Sequence, residues 1–462
     1  MALAFSACAP TIVQKSANRT VPSSFNNSVD TTNTATVNWK TFFTDPYLTA
    51  LIDTALKNNQ ELNITLQEIE LSRNEVRARK GEYLPFVDLR AGAGFEKPGR
   101  YTHQGATDAT TEFEPGKEMP EPLQDYVLGA FASWEVDIWH KLRNSKKSSV
   151  LRYFSSVEGR NFMVTNIIAE IANSYFELLA LDNQLEILKI NVEIQQDALR
   201  IVRMQKAAAR ITELPVRKFE AEVLKNQSRR YYIQQQITET ENRINFLLGR
   251  YPQAIPRNSQ DFNDLIPATI RTGVPSQLLE NRPDVKQAEL ELAAAKLDVK
   301  VAHANFYPSL GITAGIGVQA FDPGYLAKTP QSMIYSVIGD VTAPLINRNA
   351  IKAMYYNANA KQTQAVYNYE RTILNAYFEV TNQLSMISNL EKSYDLKAKE
   401  VQALTESITI SNNLFKSARA DYMEVLLTQR DALESKFELI ETRKEQMSAL
   451  VNIYQALGGG WN

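Results

Sequence analysis

The side chains best suited to metal binding or proton transfer are three histidines, His103, His140 and His303. They fall in a predicted loop, at a predicted strand end and in a predicted helix, without the spacing of metal ligands. The chain has no phosphate-binding glycine loop and no nucleophile motif, since Gly92-Ala93-Gly94 lies inside a predicted strand. We therefore expect a protein that is not an enzyme and that holds no metal and no cofactor, with the histidines as surface or interface residues.

The single cysteine, Cys8, has a different chemistry available to it, the attachment of lipid. It follows Leu3-Ala4-Phe5-Ser6-Ala7, a short apolar run that ends in two small residues and is similar to the end of a bacterial lipoprotein signal. Phe5 stands where that pattern usually has Leu, and no basic segment precedes it. The alternative is an ordinary free cysteine, since a disulfide would need a second cysteine in the chain. We interpret residues 1–8 as a signal remnant with Cys8 as the lipid anchor.

Charge and hydropathy limit the possible partners. The 50 Lys and Arg residues nearly balance the 52 Asp and Glu residues, which leaves a formal net charge of -2 and no basic footprint for a phosphate backbone. Nucleic acid is therefore not an expected partner. No run of about 18 apolar residues occurs, so the sequence predicts no transmembrane helix. A membrane crossing by this chain would have to be a β-barrel.

The chain contains an internal duplication. The segment Asn59 to Gly94 runs parallel to Asn281 to Gly317, and Asn173-Ser174-Tyr175-Phe176-Glu177 is echoed by Asn375-Ala376-Tyr377-Phe378-Glu379. We expect an extended N-terminal tether over 9–38, a first repeat over 39–258 and a second repeat over 259–462. Each repeat is predicted to contain a helix, two strands and a long helical hairpin.

The helical hairpins are predicted over about 140–248 and 347–457, with a helix over about 283–305 in the second repeat. Leu345 to Leu457 contains neither proline nor glycine. A helix of about 65 residues would be roughly 100 Å long. Leu185, Val192 and Leu199 follow a heptad spacing, and a second stripe of Ile187, Ile194 and Ile201 lies beside it. We therefore expect each helix to have neighbours on two sides.

Four segments with strict alternation predict strands, at about 86–96, 126–138, 309–320 and 334–344. Each is about ten residues long, which is enough for a tilted strand to cross a bilayer. One face is apolar and the other polar, with Phe131 as the exception. A soluble antiparallel sheet over a core would show the same alternation. If the strands form a barrel, the predicted lumen residues are Asp88, Arg90, Glu96, Glu135, Asp137 and Asp340.

Four strands cannot close a barrel, because the smallest membrane barrels need about eight. The subunit must therefore assemble, and two or three copies would both satisfy the strand count. The same oligomer would align the hairpins into a second, longer tube. The predicted fold class is mainly α with a small transmembrane β part. The strand-to-strand loops, with their proline, glycine and mixed charge, would be extracellular, and the helices would lie in the periplasm.

Several motifs resemble the TolC-like outer-membrane factor family, and more closely its lipoprotein branch in multidrug efflux. The most specific is the linker from Gly273 to Asp284, with Gly273-Val274-Pro275-Ser276-Gln277 and Asn281-Arg282-Pro283-Asp284. Trp39 with Asp45-Pro46, the segment Ser133 to Trp139 and the closing Leu457-Gly458-Gly459-Gly460-Trp461 are also similar, so the resemblance covers nearly the whole chain.

The resemblance implies a homotrimer whose twelve strands form one outer-membrane barrel, continuous with a periplasmic α-helical barrel. It implies a passive exit duct for small molecules such as drugs, which docks on a periplasmic adaptor and an inner-membrane transporter of the RND type. The expected location is the outer membrane of a Gram-negative bacterium, with a lipid anchor. In that family, acidic residues ring the periplasmic aperture, and Asp421 and Glu424 occupy that stretch here. Leu427 departs from the pattern, because a second acid is often found there.

The hairpin tips are predicted near Ala207 to Pro215 and Lys416 to Val425. Ala209-Arg210 and Ala418-Arg419 fall at equivalent places, as adaptor-contacting residues repeated by duplication would. They could instead serve only the geometry and solubility of the tips, and Asp421 and Glu424 could be ordinary solvated charges. Two other functions stay open, an outer-membrane duct for protein secretion and a periplasmic coiled-coil adaptor or scaffold. The latter would not need four strands of bilayer length.

Overall fold

The computed structural model describes residues 10–25, 30–260, 262, 265, 270–346, 348–417 and 419–461. Helices dominate this part of the chain. Their bounds are α1 Trp39–Phe42, α2 Pro46–Asn58, α3 Gln60–Glu82, α4 His103–Asp108, α5 Lys141–Ala207, α6 Glu213–Leu247, α7 Leu278–Asn281, α8 Pro283–Ala304, α9 Asn349–Lys416 and α10 Tyr422–Ala456. The strands are β1 Phe86–Glu96, β2 Glu112–Glu114, β3 Lys117–Glu118, β4 Leu123–Val136, β5 Ser309–Ala320 and β6 Met333–Thr342. None of the described helices has an apolar stretch long enough to cross a membrane.

The fold class is confirmed, since long helical hairpins accompany one four-stranded sheet of order β1-β4-β5-β6. Every pair in this sheet is antiparallel. The strand predicted at about 126–138 begins at Leu123 and ends at Val136. The segment between β1 and β4, predicted only as a loop, contains α4 and the small β2-β3 hairpin.

The chain divides into two compact units. The first comprises residues 10–16, 70–154 and 290–367 of the described chain and contains the four-stranded sheet. A buried cluster of Val299, Ala302, Phe306 and Tyr355 holds α8 against α9 within it. Each predicted repeat contributes one segment to this unit, so the compact units do not coincide with the repeats. The division into repeats stays a prediction about sequence.

The second unit comprises 17–69, 155–289 and 368–461 of the described chain. Its main core joins α2, α5, α6 and α10 through fully buried residues such as Ile52, Ile171, Leu248 and Val451. Two smaller clusters continue along α5, α6 and α10, one around Leu188 and Ile233 and the other around Val202. Of the predicted heptad stripe of α5, Leu199 is buried in this three-helix packing, and Leu185 and Val192 are partly buried.

The two helical hairpins end in the same way, as the predicted duplication implies. Gly249 follows α6 with a φ of 65°, and Gly458 follows α10 with a φ of 88°. A Cβ on Gly249 would lie 2.5 Å from the carbonyl oxygen of Asn58, and one on Gly458 would lie 2.7 Å from that of Asn281. Both positions therefore need glycine for two reasons, the left-handed backbone and the close approach.

The linker signature positions a buried cation. The Arg282 side chain is only 5% exposed, and its guanidinium contacts Asp284 at 2.6 Å, Glu379 at 2.6 Å and the carbonyl oxygen of Ala456 at 2.9 Å. Burial lowers the pKa of Arg282, but the hydrogen bonds and charges of the two carboxylates outweigh it and raise the pKa overall. The charged guanidinium therefore ties the start of α8 to α9 and to the end of α10.

The N-terminal segment is extended, and its described part is also docked on the rest of the chain. In the first unit, Gln362 donates to the carbonyl oxygen of Lys15 at 2.8 Å, and Ile12 packs on the buried cluster between α8 and α9. In the second unit, the ring of Phe25 is buried and stacks on Tyr377 at 5.5 Å. The described part of the predicted tether is therefore attached along its length.

Two strands of the sheet approach each other unusually closely. Gly129 of β4 and Gly317 of β5 are register partners. A Cβ on Gly317 would lie 2.5 Å from the carbonyl oxygen of Leu128 and 2.7 Å from the Cα of Gly129. Because real Cβ contacts are longer, only glycine permits this backbone approach. Gly94 of β1 has no heavy atom within 4 Å of its ideal Cβ, so it lacks this constraint.

We therefore expect Gly317→Val to disrupt the β4-β5 pairing, because the added side chain overlaps backbone that cannot move without breaking strand hydrogen bonds. The cost should be about 1–3 kcal/mol or more, seen as less folded protein in outer membranes by heat-modifiable gel mobility. Gly94→Val is the matched control and should fold at the wild-type level. Equal yields for the two variants would contradict the close approach.

Candidate functional site

The strand register brings the predicted polar faces together on one side of the sheet. Opposite residues in a pair share a face, and the pairs connect Asp88 to Phe131, Phe131 to Gly315 and Gly315 to Ser336. The same side contains these polar-face residues: Arg90, Glu96, Asp125, Ser133, Glu135, Gly311, Thr313, Gln319 and Asp340. Phe86, Ile334 and Ile338 are among its apolar members. Five of the six predicted lumen residues therefore share a surface.

The other side of the sheet is apolar and exposed. Leu89, Ala130, Ile316 and Tyr335 form one row across the four strands. Leu89 is 86% exposed and Tyr335 is 82% exposed. An apolar sheet face of this extent, unfavourable in water, is typical of a surface that contacts lipid or another chain.

Asp137 does not belong to the polar face, which corrects its prediction as a lumen residue. It follows the end of β4, its side chain is 2% exposed, and it accepts hydrogen bonds from the backbone N–H groups of Leu142 at 3.0 Å and Arg143 at 2.9 Å. The Arg143 guanidinium also donates to it at 3.1 Å. The carboxylate therefore caps the first turn of α5 and positions that helix after the strand.

The other predicted lumen residues lie at the surface of the sheet. Asp88 and Arg90 are neighbours at 3.6 Å. Glu135 pairs with Lys141 at 2.5 Å. Asp340 lies over Gly311, where a Cβ would be 2.7 Å from its Oδ1. Glu96 is the exposed last residue of β1. The carboxylates outnumber the cations, so this face carries a negative field.

Phe131 is accommodated by a glycine on the next strand. A Cβ on Gly315, its register partner, would lie 2.8 Å from Cδ1 of the ring. The Arg90 guanidinium lies 5.0 Å from the ring centroid. Phe131 breaks the alternation of the sequence, and its ring fits on the polar face because Gly315 opposite it has no side chain.

The first hairpin tip has a defined turn. Ala209 adopts a φ of 53°, and the N–H of Arg210 donates to the carbonyl oxygen of Gln205 at 2.9 Å. A left-handed residue followed by this bond ends a helix, and glycine is the usual residue there. At the second tip, the N–H of Arg419 donates to the carbonyl oxygen of Leu414 at 2.9 Å, which is the same spacing of five residues. Arg210 and Arg419 are both exposed.

Two predicted site residues, Cys8 and Ala418, lie outside the described residues. The two predicted aperture acids are described, at the start of α10. Asp421 is its N-cap residue, and Glu424 lies in its first turn. Both side chains are exposed, as is that of Leu427 one turn further. Val425 and Leu426 point into the buried seam, so α10 presents the acids and Leu427 on its free side.

The histidines lie in three different segments, and two of them, His140 and His303, line the same cavity. His103 begins α4, His140 precedes α5 with a φ of 60°, and His303 lies in the last turn of α8 beside Phe306 and Tyr355. Within the part of the chain that the structure describes, no group of three His, Cys, Asp or Glu side chains is placed to hold a metal ion. The candidate functional features are therefore surfaces: the polar face of the sheet with its carboxylates, and the exposed acids at the start of α10.

The chain is similar in sequence and in fold to known outer-membrane proteins. The outer membrane lipoprotein SilC of Salmonella typhimurium, named as probable, is 24% identical over 423 residues, which cover 92% of this chain and 88% of that protein. The pyoverdine export outer membrane protein OpmQ of Pseudomonas aeruginosa is 27% identical over 423 residues, covering 92% and 87%. The crystal structure of the open state of the MtrE outer membrane channel of Neisseria gonorrhoeae has a TM-score of 0.84 at 22% identity and covers 98% of both chains.

The outer membrane efflux protein profile matches residues 51–250 and 274–459. These two matched segments correspond closely to the two predicted repeats, and together they contain the sheet, both hairpins and most of the linker signature. Among the relatives that this chain matches over most of their length, OpmQ is named as a pyoverdine export outer membrane protein and CusC of Escherichia coli as a cation efflux system protein. The chain belongs to the outer membrane efflux protein family.

Proposed function

We propose that three copies of this chain form one passive exit duct, in which twelve strands close a barrel across the outer membrane. The observation that carries this proposal is the sheet, which has a polar face, an exposed apolar face and two outer strands. In the described chain, β1 pairs only with β4 and β6 only with β5. Backbone groups at such edges are too costly to leave unpaired in lipid. Pairing β6 of one copy with β1 of the next satisfies them.

The helices support assembly as well. Along α5, Ile190 and Ile194 are exposed beside the buried heptad seam, and along α9 the exposed apolar residues include Phe378, Leu396 and Ile410. Long helices with a second, exposed apolar stripe are stabilised by packing on helices of another chain. We infer that neighbouring copies cover these stripes and line up the hairpins as the wall of a periplasmic tube.

Transport through such a duct needs no chemistry in the duct itself. The polar sheet face would line the barrel and keep it hydrated, and the apolar face would contact lipid. We infer that a periplasmic adaptor and an inner-membrane transporter of the RND type complete the system and supply energy and selection. The relative OpmQ is named for pyoverdine export, which supports small molecules as the cargo. The relative SilC is named a probable lipoprotein, which supports Cys8 as the lipid anchor.

The periplasmic aperture is proposed at the start of α10. Three copies of Asp421 and Glu424 around one axis would attract cations and bind divalent ions. Leu427 adds no charge one turn further along α10, so the acids of the proposed ring would be Asp421 and Glu424 alone.

We expect Glu424→Gln to lower the cation preference and the block by divalent ions in single-channel recordings, because the substitution removes one carboxylate per copy and keeps its size. Glu438→Gln, which changes another exposed acid of α10 far from its first turn, is the control and should behave as wild type. Unchanged selectivity and unchanged divalent block in Glu424→Gln would reject the aperture assignment.

The hairpin tips are proposed as the adaptor contacts. Ala209 adopts a backbone conformation that costs about 1 kcal/mol for a residue with a Cβ. Alanine rather than glycine at this strained position supports a role for its methyl group in contact with another protein. Arg210 and Arg419 are both exposed, and the N–H of each donates to a carbonyl oxygen five residues earlier. Ala418-Arg419 also repeats the Ala209-Arg210 pair in sequence.

A photocrosslinking amino acid at each tip captures any protein that contacts the tip, so it tests the proposed adaptor contact directly. Arg210→p-benzoylphenylalanine and Arg419→p-benzoylphenylalanine should each give one heavy adduct in cells, and mass spectrometry should identify a periplasmic adaptor in it. Lys218→p-benzoylphenylalanine, an exposed position on α6 further from the tip, should give little of this adduct. Adducts of equal strength at all three positions, or none at the two tips, would count against the assignment.

A further inference from the structure

Phe131 and Arg90 form a small mixed surface on a sheet face whose other charged strand residues are all carboxylates. The carboxylates on this face of the four strands are Asp88, Glu96, Asp125, Glu135 and Asp340. Among the residues of β1, β4, β5 and β6 that share the face, Arg90 is the only lysine or arginine. Its guanidinium lies 5.0 Å from the centroid of the Phe131 ring. The one strand cation of this face is therefore placed beside an aromatic ring.

The backbone around the ring is cleared of side chains. Gly315 lies opposite Phe131, and a Cβ there would be 2.8 Å from the ring. A Cβ on Gly129 would be 3.2 Å from Cε2 of the same ring. Glycine inside a strand costs about 0.5–1 kcal/mol relative to alanine. The glycines that make room for the Phe131 ring therefore lower the stability of the sheet locally. A serine at position 131 would suit the polar face and would need no such room.

Neither group is fully buried. Phe131 is partly exposed, and the Arg90 side chain is 64% exposed. The Asp88 carboxylate, 3.6 Å from the guanidinium, competes for its charge but leaves donors free in a group that has five. A flat ring can therefore stack on Phe131 and Arg90 while an attached anionic group pairs with Arg90.

We propose that Phe131 and Arg90 form a transient binding site for flat aromatic solutes that carry an anionic group. This inference rests on the proposed function. It adds to that function a class of solute that the duct would bind briefly during passage. On a face with five carboxylates per copy, an anion is repelled elsewhere, and Arg90 offers the place where it can pause. Competition from Asp88 keeps the binding weak, as passage requires.

The experiment uses the full-length channel in planar bilayers, with naphthalene-1-sulfonate as the probe. Cyclohexanesulfonate has the same charge without a flat aromatic ring and serves as the control solute. The quantity measured is the mean duration of single-channel current block. Phe131→Leu removes the ring and keeps an apolar side chain, Arg90→Gln removes the charge, and Phe131→Tyr keeps the ring. Phe86→Leu makes the same change at the start of β1 on the same face.

We expect naphthalene-1-sulfonate to block the wild type longer than cyclohexanesulfonate does. Phe131→Leu and Arg90→Gln should each shorten the aromatic block by about two- to tenfold, the range of aromatic and cation contacts. Phe131→Tyr and Phe86→Leu should keep the wild-type duration. If Phe131→Leu does not assemble, the comparison of Arg90→Gln with wild type decides the result.

Two failures are distinguishable. A wild-type channel that conducts ions but blocks equally with both sulfonates, or variants with unchanged block durations, would overturn the binding site and leave the duct intact. A wild-type protein that forms no conducting pore would overturn the proposed function and this site with it.

Discussion

The structure depends on one constraint, the backbone hydrogen bonds at the two outer edges of the four-stranded sheet. The strands β1, β4, β5 and β6 alternate in direction, so the outer two run opposite to each other. An antiparallel pairing between β6 of one copy and β1 of the next therefore continues the sheet without a change of pattern. Edges of this kind are avoided in water and excluded in lipid. The proposed assembly therefore rests on the backbone of the sheet, together with the apolar face that places it in lipid.

The predicted duplication accounts for the presence of both sheet strands and a long helical hairpin in each half of the chain. Each predicted repeat contains two strands of the four-stranded sheet and one helical hairpin, and each hairpin is followed by a left-handed glycine, Gly249 or Gly458, packed on the backbone of Asn58 or Asn281. The main core of the second unit takes α2, α5 and α6 from the first predicted repeat and α10 from the second. Arg282, with Asp284 and Glu379, then joins the linker between the repeats to α9. Arg282 is the buried charge of the linker motif, with only 5% of its side chain exposed.

The sequence predicts the strands best where two unlike faces force alternation. The predicted bounds 86–96 and 309–320 match β1 and β5 at both ends. The bounds predicted for the second strand lie too late in the chain, because the alternating pattern continues through Asp137, although this carboxylate caps α5 through Leu142 and Arg143. The cap contacts backbone N–H groups five and six residues ahead, and strand periodicity contains no signal for that contact.

Other features need three-dimensional information for different reasons. Phe131 breaks the alternation. That its ring fits on the polar face follows only from its pairing with Gly315, which lies 184 residues later in the chain. The helix α4 and the β2-β3 hairpin are short elements with little periodicity, so the sequence predicts only a loop there. The number of copies is not encoded in the strand count, because eight and twelve strands both close a barrel.

Native mass spectrometry of the detergent-extracted, full-length protein tests the central claim most directly. If the edges of β1 and β6 are paired between copies, the protein should be released as an assembly with the mass of three chains, and it should yield single chains only under denaturing conditions. A stable, folded single chain in native spectra would show that the edges need no partner. A two-chain assembly would keep the edge pairing and contradict the twelve-stranded barrel.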